Sequence, residues 1–233
     1  MKICCIALPS ISPGKYNLKD SRLDQVDAIT KSKKKTYIQV EVIPEEKILD
    51  ADAILVDSDS RMDLVLRDLE FVETRLSRVS EEGEKSLLLK LKSSLEKEEF
   101  IAQMELSVEE KLVLSGYSVW TNKPVVLAAK DQQEDANGLL LRAVEEAGYV
   151  SFFTTGEKET RAWLIRKGVC AWEAAGAIHS DIQKGFIRAE IISFSDFIQH
   201  GGETVAKQAG KLRVEQKEYI MQDTDLANFR FNK

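Results

Sequence analysis

Short apolar runs closed by turn residues punctuate the first part of the chain. Residues 2–8 hold Ile3, Cys4, Cys5, Ile6 and Leu8 and stop at Pro9, in a loop rich in Ser, Pro and Gly. That pattern predicts a buried strand. Residues 36–43 alternate polar and apolar side chains up to Pro44 and predict a second strand. Residues 52–57 and 124–129 predict two more, and residues 20–29 a short helix capped by Asp20 or Ser21. Strands separated by helical patterns point to a mostly parallel α/β sheet.

The pattern then changes period. Val65, Leu69, Val72, Leu76 and Val79 step by four and three along the chain, the a/d spacing of a coiled-coil seam. The spacing breaks around Gly83 and resumes with Leu88, Leu91 and Leu95. A seam broken at a glycine predicts a helical hairpin over about 62–115. Two amphipathic helices lying on the sheet would give the same pattern.

Beyond Gly148 the period becomes two. Residues 160–166, 186–192 and 226–231 read as strands, and 171–182 as a helix. Strands around one main helix in so short a stretch suit a small α+β roll of ubiquitin-like type. On 186–192 and 226–231, Arg188 and Arg230 fall opposite the apolar set and are expected to face solvent.

Charge sharpens this division. The net charge is −6 over 233 residues. It is −7 for residues 1–147 and +1 for 148–233, so a local basic face is expected only in the second part. The overall acidity excludes a global attraction to nucleic acid or an anionic membrane. No apolar run is long enough for a membrane span, and the N-terminus lacks the pattern of a signal peptide. Three Cys, an odd number, make no disulfide framework and suggest a reducing, cytoplasmic setting. With two His and three scattered Cys, no metal site is expected. Asp57, Asp59 and Asp63 lack the following Gly and Glu of a calcium loop. No Ser or Cys stands in a nucleophile motif, so no catalytic residue is assigned.

The C-terminal text carries a specific resemblance. It reads FFTTGEKETRAWLIRKG, then AAGAIHSDIQKGFIRAEII, then KQAGKLRVEQKEYIMQDTDLANFRF. These stretches resemble the C-terminal TGS domain of the YchF family, also called Obg-like ATPases. RLDQVDAITKSKK resembles the family segment that follows the first helix of its G domain. The resemblance implies a reduced P-loop-like α/β sheet with an inserted helical hairpin over residues 1–147. It implies a β-grasp TGS domain over 148–233. It also implies partners in the translation machinery, the ribosome or structured RNA.

The nucleotide elements of the family depart from pattern here. A P-loop reads G-x-x-x-x-G-K-S/T, with glycines that let backbone N–H groups cradle phosphates and a hydroxyl on Mg²⁺. The corresponding text is Ala7-Leu8-Pro9-Ser10-Ile11-Ser12-Pro13-Gly14-Lys15-Tyr16. Only Gly14 and Lys15 remain as a vestigial phosphate contact, and Tyr16 stands in place of the hydroxyl. The Asp-x-x-Gly after the second strand falls on Glu41-Val42-Ile43-Pro44. The base-reading Asn-x-x-Glu falls on Lys130-Asp131-Gln132-Gln133. From these losses the chain is expected to be no enzyme and to need no cofactor, with residual ATP or GTP binding as the exception.

Lys184, Arg188, Lys211, Arg213 and Arg230, with His179 and Trp172, are the expected contacts to RNA or a partner. The run Lys31, Lys33, Lys34, Lys35 is either a solvated loop or an RNA phosphate contact. Within the resemblance, Trp172 stands where Pro is usual, Gln216 where Gly is usual, and Thr224 replaces the Gly of a D-G-D turn. Two other readings stay open: nucleotide binding through Gly14 and Lys15, and a protein-interaction regulator that uses the hairpin.

Overall fold

The computed structural model describes residues 1–129 and 135–232. Strands β1 (Lys2–Ile6) and β2 (Gly14–Leu18) precede helix α1 (Ser21–Thr30). Then come β3 (Lys35–Thr36), β4 (Ile38–Ile43) and β5 (Ala53–Asp57). Helices α2 (Arg61–Leu76), α3 (Glu82–Leu95) and α4 (Val108–Leu114) separate β5 from β6 (Val125–Ala128). After α5 (Ala136–Glu146) follow β7 (Tyr149–Thr154), β8 (Thr160–Arg166), α6 (Ala171–Ile178), α7 (Ser180–Lys184) and β9 (Phe186–Ile192). Helices α8 (Phe194–Gln199) and α9 (Glu203–Gln208) lead to β10 (Arg213–Glu215) and β11 (Leu226–Phe231).

These elements form two compact units, Met1–Tyr16 with Val40–Ala147, and Asn17–Gln39 with Gly148–Lys233. The first unit carries a sheet in the order β2-β4-β1-β5-β6. β1 pairs in parallel with β4 and β5, and β5 in parallel with β6. Parallel strands buried on both faces need continuous apolar text, which Ala53, Ile54, Leu55 and Val56 supply; all four are buried.

The a/d seam closes within the chain. Val65 and Val72 of α2 pack in one core cluster with Leu88, Leu91 and Leu95 of α3, while Leu69, Leu76 and Val79 line its edge. The two helices thus bury their apolar stripes against each other. The cluster extends to Phe100, Ile101 and Leu114, so α4 belongs to the same packing. Asp68 is the exception on α2: it is buried, and its carboxylate accepts N–H bonds from Trp120 and Thr121 and the Thr121 hydroxyl.

The second unit holds the sheet β10-β9-β11-β7-β8-β3. β7 pairs antiparallel with β8 and parallel with β11; β9 pairs antiparallel with β11 and β10. Helix α6 packs on one face through Ala171, Ala174 and Ala175, against Phe152, Ala189, Ile191, Ala227 and Phe229. Small residues on the helix let it approach the sheet closely.

Two sequence expectations change here. Residues 17–39 were expected within the first part, yet they group with the C-terminal residues. The reason is pairing: Lys35 and Thr36 lie in parallel register with Thr160 and Arg161, and α1 packs on β8. The single helix expected over 171–182 is two helices. His179 is extended between them, and its Nδ1 accepts the Asp181 N–H at 3.1 Å, capping α7. No helix among the described residues is long and apolar enough to cross a membrane.

Candidate functional site

The loop after β1 does not turn into a helix. Gly14 and Lys15 open strand β2, and both are exposed. The Tyr16 hydroxyl donates to the Ser12 carbonyl at 2.8 Å. A phosphate cradle needs successive N–H groups at a loop-to-helix junction. The first helix instead begins at Ser21, where the Asp20 carboxylate accepts the Arg22 N–H at 2.9 Å. That helix start is thus already capped by Asp20, whose carboxylate also pairs with the Arg22 guanidinium. Pro44 closes β4 and leads into a 3-10 turn, Glu45–Asp50. The residues after β1 and β4 thus form a strand and a 3-10 turn, not a loop-to-helix junction. Lys130, Asp131, Gln132 and Gln133 lie outside the described residues. Cys4 and Cys5 are held as thiols: burial pushes them up to about 11 and about 12.

The C-terminal sheet carries the remaining candidates. β9 and β11 are neighbours, and Arg188 lies directly opposite Arg230 in the register. In the next row Glu190 lies opposite Asn228 on β11 and Val214 on β10. Alternation puts Arg188, Glu190, Asn228 and Arg230 on the face away from α6. Arg188 donates to Glu190 Oε1 through Nη2 at 2.9 Å and Nε at 3.3 Å. Arg230 donates to Oε2 through Nη2 at 2.8 Å and Nε at 3.0 Å. The Arg230 guanidinium foremost, with that of Arg188, holds the Glu190 carboxyl below the usual carboxylate range against the opposing effect of burial. A carboxyl with a lowered folded pKa contributes stability above its unfolded pKa, and that contribution fades as pH falls through the folded value.

The other basic candidates do not join this pair in one patch. Val214 shares the face of Glu190, so its neighbour Arg213 points to the other face, where it meets the Tyr219 hydroxyl at 2.9 Å and Asp225 at 3.5 Å. Lys211 pairs with Asp196 at 3.2 Å. Lys184 ends α7 and is exposed, and His179 is bound to the α7 cap. Trp172 is 43% exposed on α6. The lysine run serves the edge of the sheet: Lys34 meets Glu159 at 3.1 Å and Lys35 meets Asp24 at 2.7 Å. Among the described residues, no group of three or more His, Cys, Asp or Glu could hold a metal ion.

Thr224 does adopt the conformation that its turn demands. Its φ is +63°, in the left-handed region, and the residue is buried. A β-branched side chain there is strained, at a cost of about 1–3 kcal/mol. Thr224→Gly is expected to raise stability by roughly 0.5–1 kcal/mol after the entropic cost of glycine. Urea unfolding of the full chain checks this; a loss of stability would show that the Thr224 hydroxyl, which donates to the Asp223 carbonyl, outweighs the strain.

The family model YchF-GTPase_C, described as a protein of unknown function (DUF933), matches residues 149–232. The protein of Bacillus subtilis named ribosome-binding ATPase YchF is 30% identical over 236 residues, covering 73% of this chain and 64% of its own length. The protein of that name from Haemophilus influenzae is 53% identical over 97 residues, covering 40% of this chain and 27% of its own. The chain thus spans less than two thirds of the length of these relatives. In structure it is similar to the YchF GTPase of Schizosaccharomyces pombe, with a TM-score of 0.75 at 19% identity, over 96% of this chain and 89% of the other. That likeness shows a shared mixed α/β fold with parallel and antiparallel sheets. The matches overturn one expectation. The chain was expected not to be an enzyme, but the relatives it matches are named ATPases, so that expectation does not stand. The expectation leaned on the loss of individual motifs, and motif loss by itself does not establish that activity is lost. By sequence the chain is similar to proteins named ribosome-binding ATPase YchF, with the YchF C-terminal family model matched at residues 149–232, and its fold is similar to that of a YchF GTPase.

Proposed function

We infer that this chain is a ribosome-associated relative of the YchF NTPases that docks through its C-terminal unit. The observation that carries the reading is the family match over residues 149–232, next to relatives named ribosome-binding ATPases. In finer terms, that unit is a TGS domain of β-grasp type, and the shortened first unit has a divergent P-loop region. The sheet with α6 on one face and Arg188, Glu190 and Arg230 on the other supports this. Half-exposed Arg188 and Arg230 offer guanidinium groups to a phosphate backbone, and exposed Trp172 on α6 offers a second kind of contact. A cytoplasmic setting goes with such docking.

Co-sedimentation of the full chain with purified ribosomes tests the reading. Sedimentation at low salt that declines as salt rises is the expected result, because contacts to phosphate release counterions. A chain that stays in the supernatant at low salt refutes it. Titration of the same chain with ATP and GTP reads the nucleotide side of the family likeness separately.

A further inference from the structure

We propose that Glu190 is a positioning residue, which sets Arg188 and Arg230 side by side as one clamp for a single backbone phosphate of RNA. The proposal deepens the docking reading and takes its source of phosphate from it. Surface carboxylates beside arginines ordinarily neutralise them, and such pairs contribute little. This one is built differently.

Glu190 has a side chain only 7% exposed, whereas Arg188 and Arg230 are 47% and 50% exposed. Each carboxylate oxygen serves one arginine, Oε1 for Arg188 and Oε2 for Arg230. Both guanidiniums use Nε and Nη2 on it. Among the described residues, Nη1 of neither is given to another group. The two arginines are direct cross-strand partners, so they would repel each other without the shared carboxylate. With it, the trio retains one net positive charge and two half-exposed guanidinium forks. The charge of Glu203 also reaches Arg230, as a weaker and more distant influence. Phosphate oxygens match the fixed fork of arginine better than the point charge of lysine. Ordering the forks in advance lowers the entropic cost of gripping the anion.

The full chain, with its arginines labelled with ¹⁵N, is titrated with inorganic phosphate while the Nε–H signals of Arg188 and Arg230 are followed by NMR. Both signals are expected to move along one isotherm. Arg188→Ala and Arg230→Ala are each expected to weaken apparent affinity about tenfold, and the double variant by little more than either. Arg188→Lys and Arg230→Lys keep the charge and are expected to weaken binding nearly as much. Glu190→Gln separates positioning from neutralisation by its sign: a severalfold loss of affinity supports positioning, and a gain overturns it. Should Glu190→Gln fail to fold, Glu190→Asp decides the same point, since it keeps the charge but withdraws the carboxylate from both arginines: a severalfold loss of affinity supports positioning, and unchanged affinity overturns it. Separate isotherms, additive losses, or affinity retained by the lysine variants would overturn the clamp. Ribosome co-sedimentation of the wild-type chain fails or succeeds independently of this titration, so the two ideas fall separately.

Discussion

Replacing Asp68 with Ala is expected to destabilise the first unit by about 3–4 kcal/mol. Asp68 lies on α2 and is 1% exposed. Its carboxylate accepts the Trp120 N–H at 2.8 Å, the Thr121 N–H at 2.7 Å and the Thr121 hydroxyl at 2.7 Å. Truncation removes every one of these acceptors and leaves the donors buried. Water cannot replace the carboxylate cheaply, because Trp120 and Thr121 are themselves buried and Arg67 covers the Trp120 ring at 3.8 Å. Burial pushes the Asp68 carboxyl up, and the bonds from Trp120 and Thr121 work against that. Asp68→Asn keeps the shape and one acceptor, so a loss of about half that size is expected. Urea unfolding gives the free energy, and hydrogen exchange at the Trp120 and Thr121 amides gives the location. Unchanged protection at those two amides would refute the assignment.

Phe152→Ala is expected to cost the second unit about 3–5 kcal/mol. Phe152 lies on β7, between β11 and β8, and is fully buried. Its ring stacks at 6.4 Å from Trp163 and meets Phe229 edge-on at 5.8 Å. The cavity left behind would be lined partly by Ala171, Ala174 and Ala175 of α6, which have no side-chain length with which to fill it. Phe152→Leu should recover more than half of the loss, since volume matters more here than aromaticity. The near-ultraviolet circular dichroism of Trp163 reports the change. A stability within about 1 kcal/mol of wild type would mean that α6 can settle onto the sheet without the ring.

Three strands of the C-terminal unit were legible because alternation is a local property; β7 and β10 were not read. Thr160–Arg166, Phe186–Ile192 and Leu226–Phe231 coincide with the runs read from the sequence. The hairpin seam was legible for the same reason. β2 was not, since GKYNL has no apolar run and lies at a sheet edge. The six-residue helices α8 and α9 are too short to show a period. The break between α6 and α7 depends on one histidine acting as a cap, which no pattern of hydrophobicity displays. The candidate face was half legible. Alternation put Arg188, Glu190 and Arg230 on one side. The sharing of Glu190 follows from the β9–β11 register, and register is set by pairing between distant segments. Gly14 and Lys15 looked like the remnant of a loop because they were read against a motif; the backbone makes them a strand. Asp68 gave no signal, because it stands beside the seam position Leu69 among other charged residues of the same helix.

The pairing of Lys35 and Thr36 with Thr160 and Arg161 has a kinetic corollary for biosynthesis. A nascent chain leaves the exit tunnel from its amino end, so helix α1 emerges long before its partner strand exists. Until β8 is made, residues 17–39 wait as an unsatisfied tether, and closing so long a loop is entropically slow. A recombinant fragment cut just before Gly148 would leave the outer edge of β8 bare, an invitation to aggregation.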